Sequence, residues 1–169
     1  IDNSDVSAVN KVLKSDFLTT GPECKKFEKK IANYVGSKYA VVCSNGTAAL
    51  YLALRCMNLK SDEIVLTSAN TFVADANAAK LNGLNVMFAD IDLTTGNIDI
   101  NEVEYLIKKY KKIKVLIPVH FAGYPVDMKR LSKICKNYDV KIIEDGCHAF
   151  GGSYQNKKLK VGCSKFSDV

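Results

Sequence analysis

Two short stretches carry residue types that chemistry can use. The first is SNGTAAL, residues 44–50, between an apolar run and a helical pattern. If a helix starts there, the free N–H groups of Gly46, Thr47 and Ala48 point out of its N-terminus, where the helix dipole favours negative charge. Gly46 permits close backbone approach, and Thr47 adds a hydroxyl donor. That combination suits a phosphate. A plain N-cap by Asn45 or Thr47 explains the same residues equally well. The stretch is neither G-x-x-x-x-G-K-[ST] nor G-x-G-x-x-G, so a P-loop and a dinucleotide fingerprint are unsupported. The second stretch is IIEDGCHAFG, residues 142–151, where an apolar run ends in Asp145 with His148 three residues on. A carboxylate in that position can pair with a cation such as a protonated pyridine nitrogen. If residues 145–150 begin a helical turn, His148 shares a face with Asp145 and can reach a ring hydroxyl. The plainer readings are an N-cap for Asp145 and packing for His148, and for His148 spacing alone favours packing. Phe72, in SANTFVADANA, can stack on a planar ring or simply pack in a core. His120, in PVHFAGYPVD, can touch a substrate or bond a carbonyl.

The elements that must position these residues follow from periodicity. Helical spacing is found over 4–15, 22–34, 47–58, 71–82, 101–111 and 127–137. Pro22 suits a first helical turn and Gly36 a stop. Apolar runs at 38–43, 63–68, 85–91, 113–119 and 140–145 read as strands. Residues 152–162 alternate like exposed β structure with a turn at Asn156. The strand runs are continuous rather than alternating, as in sheets covered on both faces. These features predict an α/β fold, a three-layer αβα sandwich with a mostly parallel sheet. In such folds ligands lie off the carboxyl ends of the strands. The residues expected to converge are therefore Ser44–Thr47, Ser68–Phe72, Asp90–Asp92, His120–Tyr124 and Glu144–His148.

Composition narrows the class. The 169 residues are 47% hydrophobic and 25% charged, with a net charge of +6, which describes one globular domain rather than a disordered chain. Lysine runs such as KKFEKK and KKYKKIK fall on helical segments and read as solvated faces, not a nucleic-acid patch. Six cysteines include no C-x-x-C pair, so no metal site is expected, and their apolar contexts point to a reducing cytoplasm. No apolar stretch is long enough for a membrane span, and no membrane partner is expected. The chain opens on Ile1 and stops at Val169 where another strand is expected to begin, so it reads as part of a longer protein.

Taken in order, six blocks resemble the DegT/DnrJ/EryC1/StrS aminotransferases. They are DFLTTGPECKKFEKKIANYVG, YAVVCSNGTAALYLAL, TSANTFVADANAAKLNG, FADID, PVHFAGYPVDM and IIEDGCHAFGGSYQNKKLKVG. The resemblance spans essentially the whole chain. It implies a fold type I large domain, truncated. Residues 1–169 would form its N-terminal part, without the Schiff-base lysine segment and the C-terminal small domain. The implied cofactor is pyridoxal 5′-phosphate (PLP), and the implied partners are glutamate and a nucleotide-linked keto-sugar, in a homodimer with shared active sites. By the same resemblance Gly46, Thr47 and Ala48 hold the cofactor phosphate, Phe72 stacks on the ring, Asp145 pairs with the ring nitrogen and His148 stands beside the ring oxygen. His148 departs from the Gln of many relatives. Thr20 and Gly21, with His120, are the candidate substrate contacts. Lys165 precedes the lysine motif and is not assigned its role; it reads, like Lys157, Lys158 and Lys160, as solvated surface. The resemblance leaves open a sugar dehydratase of the same family and a non-catalytic binding fragment. It implies that the chain alone is inactive.

Overall fold

The computed structural model describes residues 1–154 and 158–169. Its frame is a parallel sheet of four strands in the order β2-β1-β3-β4. Strand β1 is Ile64–Ser68, β2 Asn85–Ala89, β3 Ile113–Ile117 and β4 Lys141–Ile142. Among the described residues six α-helices complete it, α1 Asn3–Leu13, α2 Pro22–Val35, α3 Gly46–Cys56, α4 Ala74–Leu81, α5 Ile100–Lys109 and α6 Met128–Asn137, with a 3-10 turn at Phe121–Gly123. Their boundaries follow from local chemistry. Asp2 and Asp5 form a reciprocal capping box at α1. Asp99 and Asp127 cap α5 and α6 with their carboxylates. Pro22 opens α2, which ends on Gly36 in the left-handed conformation at φ +83°.

Alternate residues of each strand face opposite layers, and both layers are apolar. On one face Leu66, Ile113, Leu116 and Ile142 meet Val103, Leu106 and Ile107 of α5 and Leu131, Ile134 and Cys135 of α6. On the other face Val65, Val115, Ile117 and Ile143 meet Leu50 and Leu54 of α3 and Ala74, Ala78 and Ala79 of α4. The small residues of α4 let it approach the sheet closely. This is the expected three-layer sandwich. By contrast α1 buries none of its residues: of the apolar positions at helical spacing, Val6, Val9 and Leu13 stay exposed and Val12 is half-buried.

Three expected strands differ. Residues 38–43 do not join the sheet, because no ladder partner stands beside them among the described residues. Tyr39, Val41 and Val42 are exposed, and the Val42 N–H instead donates to Glu28 Oε1 at 3.0 Å. The strand expected over 140–145 pairs regularly only at Lys141–Ile142. Pro118 has no N–H, so the ladder breaks there and resumes as a single parallel bridge between Val119 and Asp145. Of the ribbon expected over 152–162, the described residues form one bridge, Ser153 with Lys160, and the turn expected at Asn156 lies outside them. Helix α4 begins at Ala74 rather than at residue 71, which leaves Thr71 and Phe72 in the connection after β1.

Candidate active site

From β1 the chain crosses through α4 to β2 on one side; from β3 it crosses through α6 to β4 on the other. The connections diverge between β1 and β3, which makes the crevice off their carboxyl ends the expected ligand position. A cavity of about 310 Å³ lies there. Its lining comes from four segments: Gly46, Thr47 and Leu50 of α3, Thr71, Phe72 and Ala74 after β1, Val119 and Phe121 after β3, and Asp145, Cys147 and His148 after β4.

The start of α3 is both a cap and a donor surface. Asn45 Oδ1 accepts from the Ala48 N–H at 2.9 Å. Ala48 is thereby already satisfied and does not line the cavity, a correction to its expected place beside the phosphate. The N–H groups of Gly46 and Thr47 have no acceptor among the described residues, and both residues line the cavity. The pocket side of Gly46 is close-fitting, since a Cβ there would lie 3.4 Å from Cys147 Sγ.

Asp145 also lines the cavity and is 8% exposed. Its backbone is locked into the sheet: its N–H donates to Pro118 O at 3.0 Å, and its carbonyl accepts from the His120 N–H at 3.1 Å. Its Oδ1 accepts from the Cys147 N–H at 2.9 Å. No Lys or Arg lines the cavity, and Asp145 makes no ion pair among the described residues. The Cys147 thiol is pushed up to about 12, first by burial and then by its hydrogen bond to Asp145. His148 is exposed, on a tight turn closed by the Ala149 N–H donating to Gly146 O at 2.8 Å, so a turn and not a helix brings it to the cavity with Asp145. Phe72 is 71% exposed.

His120 is elsewhere. It is fully buried, its Nδ1 accepts from the Val126 N–H at 3.1 Å, and its Nε2 lies 2.6 Å from Glu144 Oε1. The accepting Nδ1 places the ring proton on Nε2, facing Glu144. The hydroxyls of Tyr154 and Ser167 also donate to Glu144, and burial followed by that contact raises the Tyr154 phenol. Both ring nitrogens are thus occupied, and His120 is an internal strut rather than a substrate contact. Thr20 and Gly21 line a separate hollow of about 160 Å³ between α1 and α2, with Phe17 and Leu18, and do not reach the cavity. Lys165 is exposed and borders neither.

One participant went unnoticed in the sequence. Asp75, in the first turn of α4, is wholly buried behind the cavity wall. Its Oδ2 accepts from the Thr71 hydroxyl, and Asp145 is its charged neighbour. Burial first, then Asp145, raises its carboxyl to about 7, against the opposing Thr71 hydrogen bond. The available signal was the T-x-x-x-D spacing directly after a strand, which puts a hydroxyl in the connection within reach of a first-turn carboxylate of α4.

This parallel sheet, with helix-terminus donors and a buried carboxylate lining the crevice off its strands, is that of a doubly wound α/β domain. The chain belongs to the DegT/DnrJ/EryC1/StrS aminotransferase family, whose profile it matches over residues 1–167. It is 40% identical over 160 residues to the UDP-4-amino-4,6-dideoxy-N-acetyl-beta-L-altrosamine transaminase of Campylobacter jejuni, covering 94% of this chain and 42% of that protein. The fold superposes on Helicobacter pylori PseC, an aminotransferase of pseudoaminic acid biosynthesis, with a TM-score of 0.90 and 35% identity, over 96% of this chain and 43% of that one. It also superposes on the PLP form of Spr1654 from Streptococcus pneumoniae, with a TM-score of 0.89 and 28% identity, over 99% of this chain and 45% of that one. The chain therefore spans about two fifths of the length of the relatives it matches. Among the described residues no helix is long and apolar enough to cross a membrane, and no group of three or more His, Cys, Asp or Glu could hold a metal ion.

Proposed function

We propose that this chain is the N-terminal part of the large domain of a PLP-dependent aminotransferase. The complete enzyme would move an amino group from glutamate to a keto carbon of a nucleotide-linked deoxysugar, for cell-surface glycan synthesis. It would act in the cytoplasm as a homodimer with shared active sites, and its lysine would come from outside these residues. The observation that carries this reading is the cavity itself, lined by the Gly46 and Thr47 N–H groups, which have no acceptor among the described residues, by the buried Asp145, which makes no ion pair among them, and by the exposed Phe72 ring.

The residues fit the cofactor. A buried carboxylate without a cation is costly, and a protonated pyridine nitrogen supplies that cation. When bound, PLP supplies the electron sink that makes the donor's Cα–H acidic. The chain's own residues do the rest. Gly46 and Thr47 donate N–H groups to a phosphate, with the α3 dipole adding to them. Phe72 offers a face for the ring. Asp145 holds the proton on the ring nitrogen by its charge, and the rigid backbone bonds to Pro118 and His120 keep it in place. His148, exposed at the cavity, can donate to a ring oxygen.

The test is transfer of label. The full-length protein, incubated with ¹⁵N-glutamate and nucleotide-linked keto-sugars, is expected to yield a ¹⁵N-amino-sugar nucleotide by mass spectrometry. Asp145→Ala is expected to lose that activity by at least a hundredfold while retaining its far-UV circular dichroism. Loss of a sugar hydroxyl without nitrogen gain would replace transamination by dehydration, and wild-type turnover in the variant would remove Asp145 from the site.

A further inference from the structure

Resting on the cofactor reading above, we propose that Asp75 is a positioning residue, a neutral carboxylic acid anchored by Thr71 that donates its proton to Asp145 and keeps that carboxylate ionised and fixed. Asp75 does not line the cavity and touches no ligand. It is wholly buried, and its Oδ1 is the one buried side-chain nitrogen or oxygen without a hydrogen-bond partner among the described residues. Its Oδ2 is already occupied by the Thr71 hydroxyl. Across from it stands Asp145, with the Cys147 thiol as the other titratable neighbour. No cation forms an ion pair with either aspartate among the described residues.

Two buried carboxylates in contact cannot both be ionised without a counter-charge. A carboxylate oxygen also cannot donate, so Oδ1 of Asp75 finds a partner only if one of the two acids keeps a proton. The environment decides which one. Asp145 is the better solvated, and its Oδ1 already accepts from the Cys147 N–H. Asp75 is the more deeply enclosed, and its carboxyl is pushed up accordingly. The proton therefore sits on Asp75, and the pair carries a single negative charge, facing the cavity through Asp145. One charge matches one ligand cation. Thr71 sets the geometry, because its hydroxyl holds one oxygen of Asp75 and turns the other towards Asp145.

Equilibrium binding of PLP to the full-length protein, followed by dialysis and absorbance, tests this without activity. Asp75→Asn keeps both an acceptor for Thr71 and a donor for Asp145, and is expected to bind PLP within about threefold of wild type. Asp75→Ala, or the similarly sized Asp75→Leu if the alanine variant does not fold, is expected to bind at least tenfold more weakly. In an Asp145→Asn background the same Asp75 substitution is expected to add no further loss, because its effect passes through Asp145. Asn binding as poorly as Ala, wild-type binding by Ala, or an equal loss in the Asp145→Asn background would each overturn the proposal while leaving the cofactor site intact. Failure of the wild-type protein to bind PLP would overturn the cofactor reading and this inference with it.

Discussion

The Asp75→Asn substitution makes a second, cofactor-free prediction, on stability. The folded protein holds the Asp75 carboxyl at about 7, against 3.8 for the free group, chiefly by burial. A raised acid binds more protons in the folded state than in the unfolded one between those two values. Stability must then fall as pH rises from about 4 to about 7, and the penalty is complete above that window. The interval is about three pH units, which at about 1.4 kcal/mol per unit sets a ceiling of about 4 kcal/mol. Asparagine has no charge to lose, so the variant escapes the penalty. At pH 4 the two apo-proteins are expected to melt at similar temperatures, because both side chains are neutral. At pH 8.5 the variant is expected to melt several degrees higher, at about 2 °C for each kcal/mol in a larger domain. Thermal melts of both apo-proteins across this range measure the difference directly. A difference that is constant with pH, or one that favours wild type at pH 8.5, would refute the assignment of the proton to Asp75.

Phe72→Ala removes an exposed ring, so it should leave the melting temperature within about 1 °C and weaken PLP binding several-fold, measured by absorbance titration. Gly123 has φ +82°, and a Cβ there would lie 2.9 Å from the His148 carbonyl oxygen. Gly123→Ala is therefore expected to cost about 1–2 kcal/mol in urea denaturation and to disturb the turn that carries His148. Leu116 is fully buried against α5 and α6, and Leu116→Ala should cost about 2–5 kcal/mol in the same assay.

The layered fold was legible because continuous apolar runs such as IVLTS and IKVLI can be buried only between two layers, with helices alternating between them. What could not be read was pairing. KYAVVC has the composition of a buried strand, but a strand needs a ladder, and none stands beside it among the described residues. Pro118 interrupts β3 at a point that composition alone marks as strand. At the site, the positions after β1 and β4 bring Phe72, Asp145 and His148 to one cavity, and Gly46 and Thr47 reach it from the start of α3 without a strand before them. Position alone could not say which way a side chain turns. His120 follows β3 as Asp145 follows β4, yet Val126, Glu144 and Tyr154 draw its ring into the core, and Glu144 and Tyr154 are distant in sequence. Asp75 was hidden for the converse reason: its helical position looks like an ordinary first-turn acid, and only burial beside Asp145 gives it chemistry.

The account's central claim is that the crevice off β1 and β3 holds PLP. A crystal structure of the full-length protein grown with PLP tests it most directly. The account predicts phosphate density within hydrogen-bond distance of the Gly46 and Thr47 N–H groups, the ring against Phe72 and its nitrogen beside an Asp145 carboxylate oxygen. Density for the cofactor outside this cavity, or a ring nitrogen turned away from Asp145, would contradict it.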